Sequence, residues 1–268
     1  LGDGTRLDAV MSAQPTIQDA IDAALNGDTV IVAPGTYEVN STLYIDKNNI
    51  SIASRYLTSG DTNDIDTTII KGDPAINLID GVLGQSANFK LLGLTITDAY
   101  KGVSFYDDYG EVHYCKFYNT QADAISFETN AGGAVTHTRV ENAGDDAIDI
   151  DTQYNGSFLI AYNELIDSAD DSIEIHLYNT PSDLTMHHDI HDNLFSVAGE
   201  DGIQLIDFDA NSNRTFDIYR NIFEKMRDAG IGSMFEGTSE NFEGTAMAER
   251  VRIYNNYFYD NGYHITGG

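Results

Sequence analysis

The chain carries one cysteine, four prolines, no tryptophan and only 14 lysines and arginines among 268 residues. Each scarcity excludes something. A lone Cys115 rules out an internal disulfide. With 43 acidic residues, the net charge of −29 argues against nucleic acid or an anionic membrane as partner. No run of 18 apolar residues exists, and nothing at Leu1 reads as a secretion signal.

What the chain has in abundance is repetition. Strand cores recur with central apolar residues Val103, Ile125, Ile148, Ile173, Ile203 and Ile231, spaced 22, 23, 25, 30 and 28 apart. A second ladder, Leu94, Phe117, Val140, Leu165, Phe195, Phe223 and Phe258, runs in phase with it. Two ladders with one slowly lengthening period, filled with turn residues and too short for helical hairpins, predict the coils of a solenoid. The expectation is all-β: a single parallel β-helix spanning residues 1–268. Asn163, Asn193, Asn221 and Asn256 each precede the second ladder by two residues, a spacing that predicts an asparagine stack along the axis.

The ends are atypical. Thr16-Ile17-Gln18-Asp19 opens like a capping box, with apolar residues at helical spacing up to Asn26-Gly27, which predicts a short capping helix within 13–27. Gly262 to Gly268 shows no such cap, so the natural chain is expected to continue there or to meet a partner.

The opening Ile17-Gln18-Asp19-Ala20-Ile21, followed by Gly27-Asp28-Thr29-Val30-Ile31-Val32-Ala33-Pro34-Gly35-Thr36-Tyr37, resembles the start of right-handed β-helix proteins of the pectin-lyase-like superfamily. That resemblance implies the hand of the helix and action on a polysaccharide outside the cell or at its surface, after loss of a signal peptide. A monomer is expected.

Carboxylates stack in the middle coils. Asp149, Asp151, Glu174 and His176 stand one and three places after a buried apolar residue, so alternation puts them on one outward face. Coils lie about 4.8 Å apart, and like charges so close need neutralising. Calcium suits such hard oxygen ligands, and Asp123, Asp145, Asp146 and Asp149 are the expected set. Asp145-Asp146-Ala147-Ile148-Asp149, preceded one coil earlier by Asp123, is similar to the calcium cluster of family nine pectate lyases. The resemblance implies calcium-dependent β-elimination on a uronate polymer. It departs at the base, since Glu174 stands where that family has lysine; His176 is the best base available, and Lys101 is the one lysine in the outward columns.

Two other readings stay open. Gly144-Asp145-Asp146 also resembles a run of polygalacturonases, and Asp149 with Glu174, or Asp151 with Asp171, offers the paired carboxyls of a hydrolase. A binding module without catalysis is the third, with Tyr100, Tyr106, Tyr109, Tyr154 and Tyr178 as a sugar platform and the insertions 179–183 and 235–249 as groove walls.

Overall fold

A computed structural model describes residues 16–81, 88–106, 109–129, 131–152, 156–178, 185–207, 214–235 and 249–262. Tyr154, most of the two wall-forming insertions and the terminal 263–268 lie outside the described residues.

Strands repeat in threes, and every third strand joins the same sheet in parallel. The first sheet runs from Thr29–Val32 to Arg250–Tyr254 and the second from Gly35–Glu38 to Tyr257–Tyr259, each with nine strands. The third, from Leu43–Ile45 to Gly232–Phe235, has eight. This is a parallel β-solenoid. The first apolar ladder sits in the third sheet with the register expected, Val103 beside Ile125, Ile148 and Ile173 in turn. The second ladder starts two residues later than the spacing implied. Phe117 pairs with Ile96, and Leu94 falls one coil behind Cys115. Both Leu94 and Ile96 are fully buried, so apolar spacing alone does not distinguish them.

The helix Ile17–Ala23 starts at Thr16, whose Oγ1 accepts from the Asp19 amide at 3.1 Å. Ile17, Ala20 and Ile21 turn into the core. Gln18 hydrogen-bonds both backbone groups of Tyr44, accepting at 2.9 Å and donating at 3.2 Å, so its amide completes an otherwise open strand edge. No helix among the described residues is long and apolar enough to cross a membrane.

Polar ladders bind the coils. Asn193 accepts the Asn163 amide at 2.9 Å and donates to the Ile160 carbonyl at 2.9 Å; Asn221 and Asn256 repeat the pattern. Aromatic stacks do the same for apolar surface. Inside the solenoid, Phe89, Phe105, Phe127, Phe158, His188 and Phe216 follow one another with centroids 4.3 to 5.4 Å apart. Gly110 faces this stack because a Cβ there would run into the Phe105 ring. At the corner between first and second sheets, Tyr56, Tyr114, His137, Tyr162, His191, Tyr219 and Tyr254 form a second stack. Its ring faces are taken up by one another, a stabilising use of aromatic area.

Candidate functional site

The outward face of the third sheet gathers the candidates. Asp149 pairs with Glu174 across neighbouring coils, with Ser126 before them and Gln204 after. Asp151 and His176 stand two places further along. One donor atom from each of Asp149, Glu174 and His176 lies within 4.8 Å of the other two. His176 joins Glu174 through Nε2 at 2.8 Å and Tyr178 through Nδ1 at 3.1 Å, with Asp151 at 3.6 Å.

Electrostatics divides the roles. Burial opposes charge on His176, but the hydrogen bond and charge of Glu174, with Asp151 and Asp149, outweigh it and raise its pKa above the ordinary value. Burial, then the charges of Asp123 and Glu174, hold the Asp149 carboxyl well above the usual carboxylate range despite Lys101 and His176. Asp149 also keeps Oδ1 buried without a hydrogen-bond partner.

The residues two places before each core isoleucine behave differently from expectation. Asp123, Asp146, Asp171 and Asp201 are all less than 5% exposed. The last three form a ladder of backbone acceptors: Asp146 takes the Asp171 amide at 2.9 Å, Asp171 that of Asp201 at 2.7 Å, and Asp201 that of Ala229 at 2.6 Å. Burial pushes the Asp171 pKa up to about 9 and raises that of Asp146 as well. Asp171, paired with Asp151 in the sequence reading, is thus wholly interior and turned to the backbone.

The four acids expected around calcium fall into separate groups. Asp123 accepts from Lys101 at 2.9 Å and from Ser126 at 3.0 Å. Lys101 also reaches Glu128 at 3.1 Å, and those two carboxylates raise its pKa against the effect of burial. Asp145 and Asp146 converge instead with Asp170, one oxygen from each within 4.8 Å of the others, while Asp149 belongs with Glu174 and His176. Burial and the charges of Asp123, Asp170 and Glu174 raise the Asp145 pKa. The oxygen-only trio Asp145, Asp146 and Asp170 fits a hard cation such as calcium in donor chemistry.

Sequence reasoning missed Asp80 on this face, and gave no role to Glu128, in the column of Asp151 and His176, or to Asp170, on the coil beside the expected calcium set. Glu128 and Asp80 were readable from register, since Glu128 aligns with Asp151 and Asp80 with Ser104. Burial raises the Asp80 pKa, and its Oδ1 has no partner.

No curated protein matches this sequence. Among solved structures, the A-module of mannuronan C-5 epimerase AlgE4 from Azotobacter vinelandii is similar, with a TM-score of 0.57 and 16% identity over 91% of this chain and 71% of that one. The catalytic unit of the GH87 α-1,3-glucanase from Streptomyces thermodiastaticus strain HF3-3 gives a TM-score of 0.51 and 15% identity over 91% of this chain and 50% of its own. Both likenesses are of fold, and the chain spans only half the length of the second. Residues 79–244, more than half of the chain, match the family model described as the right handed beta helix region, and the chain belongs to that family.

Proposed function

We propose that this chain is a polysaccharide-cleaving enzyme whose substrate lies across the third sheet, and that it acts as a glycoside hydrolase through Asp149 and Glu174. The observation that carries this reading is the pair itself: two carboxyl groups on adjacent coils, with donor oxygens within 4.8 Å and His176 beside them. Burial and neighbouring charge raise the Asp149 pKa, which favours the protonated form that a general acid needs. Glu174 is joined to His176 Nε2 at 2.8 Å, and its charge helps to raise the His176 pKa.

In the proposed reaction Asp149 donates its proton to the glycosidic oxygen while Glu174 attacks the anomeric carbon, breaking the C–O bond. Water then replaces Glu174 at that carbon, returning its proton to Asp149. Oxygens this close sit nearer the carboxyl spacing of retaining enzymes, about 5–5.5 Å, than that of inverting ones, about 6.5–9.5 Å. A surface this acidic favours a neutral glycan, because an anionic polymer would need bridging cations to approach it. A polymeric substrate puts the enzyme outside the cell or on its surface.

A specific observation favours a second reading, calcium-dependent β-elimination on a uronate polymer. Asp145, Asp146 and Asp170 present an oxygen-only set that suits calcium. Bound there, calcium would offset the uronate carboxylate and acidify the proton beside it. The base is the weak point of this reading, since neighbouring carboxylates raise the His176 pKa and Lys101 is engaged by Asp123 and Glu128. Similarity to an enzyme named for mannuronan and another named for α-1,3-glucan is compatible with either substrate class.

The test is a substrate screen on soluble glucans, pectate and alginate, with and without chelator. Hydrolysis gives new reducing ends on a neutral glycan, no ultraviolet absorbance from an unsaturated product, and no loss with chelator. Absorbing products from a uronate polymer, abolished by chelator, would replace the hydrolase with the lyase. No cleavage of any polymer would leave a binding module.

A further inference from the structure

We propose that the first sheet, on a different side of the solenoid, carries a second glycan-binding groove that takes a neutral sugar chain and performs no chemistry on it. Two adjoining cavities of about 380 and 500 Å³ open on this sheet and share Ser51 and Lys90. Their sizes fall in the range of small-ligand sites.

Strand register explains the layout. Ser51, Lys90 and Glu111 are direct neighbours on three successive strands and form one outward column. Ala53, Leu92 and His113 form the next, two residues along the strands. Asn88 lies two residues before Lys90, beside Tyr109, whose amide donates to Asn88 Oδ1 at 2.9 Å. Outward positions two residues apart are separated by about 6.6 Å, so the groove from Tyr109 to His113 is about 13 Å long. It holds a short run of sugar rings.

The lining chemistry selects the ligand. Tyr109 is 46% exposed and offers ring surface at one end. Beside it, Glu111 Oε2 is shared by Lys90 Nζ at 2.5 Å and His113 Nε2 at 2.9 Å. The carboxylate cancels the ammonium charge, so this bar presents donors and acceptors without a surplus cation for a phosphate or uronate. Asn88 and Asn49 add amides at the same end, and Leu57 with Leu92 gives the far end an apolar wall. An aromatic face with paired polar groups is the recognition surface a neutral pyranose needs. The ligand class rests on the polysaccharide reading above; the location does not.

Affinity electrophoresis of the whole chain through gels containing soluble neutral α- or β-glucan tests the groove, with cleavage of short oligosaccharides measured in parallel. Wild type is expected to be retarded by at least one neutral glucan. Tyr109→Ala and Lys90→Ala should each weaken retardation at least tenfold while leaving oligosaccharide cleavage within twofold and the melting temperature unchanged. Glu174→Gln should abolish cleavage and keep the retardation. Retardation left at wild-type strength in both groove variants, or absent from wild type for every neutral glucan, overturns the proposal. If no cleavage is found while retardation still depends on Tyr109 and Lys90, the hydrolase reading fails and the groove stands.

Discussion

His176 Nε2 sits 2.8 Å from Glu174 Oε1, two places along the same strand, while Asp149 faces Glu174 from the coil before. Coupling of this kind should be visible from both partners. Glu174→Gln removes the charge that favours protonated His176, so the His176 pKa should drop, read by NMR titration of the ring protons. Catalysis should fall by about 10³-fold or more in the same variant, since a lost nucleophile is not replaced by an amide. An unmoved His176 titration would mean the pair does not form in solution.

On the hydrolase proposal, activity should decline as pH rises through the raised pKa of Asp149, because only its protonated form can donate. The positive charge of His176 pulls that pKa down. In His176→Gln the alkaline limb of the pH profile should therefore move to higher pH. A limb that vanishes instead would assign it to His176.

Lys101 compensates the buried carboxylate of Asp123 as well as Glu128. Lys101→Met leaves that carboxylate uncompensated and should destabilise the fold by about 2–4 kcal/mol, of the order seen when a buried ion pair loses one partner. Denaturant unfolding measures it. Adding Asp123→Asn should recover part of the loss, since the amide is neutral.

Asn193 satisfies the backbone and side-chain amides of Asn163 and the carbonyl of Ile160 at once. Asn193→Ala orphans these groups in the interior, at about 1–3 kcal/mol for each that stays unpaired. A loss of about 2–4 kcal/mol is expected in chemical denaturation.

His188 occupies a phenylalanine position in the interior stack, fully buried, with neither ring nitrogen hydrogen-bonded. Burial, with the charge of Arg214 behind it, pushes its pKa down to about 3 from 6.5. Below pH 6.5 the unfolded chain gains a proton that the folded one refuses until about pH 3, so stability is lost as pH falls through that window. His188→Phe should raise the melting temperature at neutral pH and flatten its decline toward acid, measured by thermal melts from pH 7 to 4.

How much of this was legible in the sequence varied along each coil. The register of the third sheet, the asparagine stack and the helix at Thr16 all followed from spacing, because each coil repeats its own apolar and amide positions. Within strands, alternation placed Asp149, Asp151, Glu174 and His176 together on an outward face. It did not extend to the residues just before them. Asp123, Asp146, Asp171 and Asp201 precede the strands at a bend, where the backbone leaves the pleat and the two-residue rule lapses; there the chain turned the carboxylates inward, those of Asp146, Asp171 and Asp201 to meet amides of the next coil. The sequence by itself determined a stack of parallel coils and which residues share a strand face, since both depend only on period. Tertiary structure decided the pairing of Lys101 with Asp123, the grouping of Asp170 with Asp145 and Asp146, and the groove at Tyr109. These depend on how far each side chain reaches across neighbouring coils, which no period encodes.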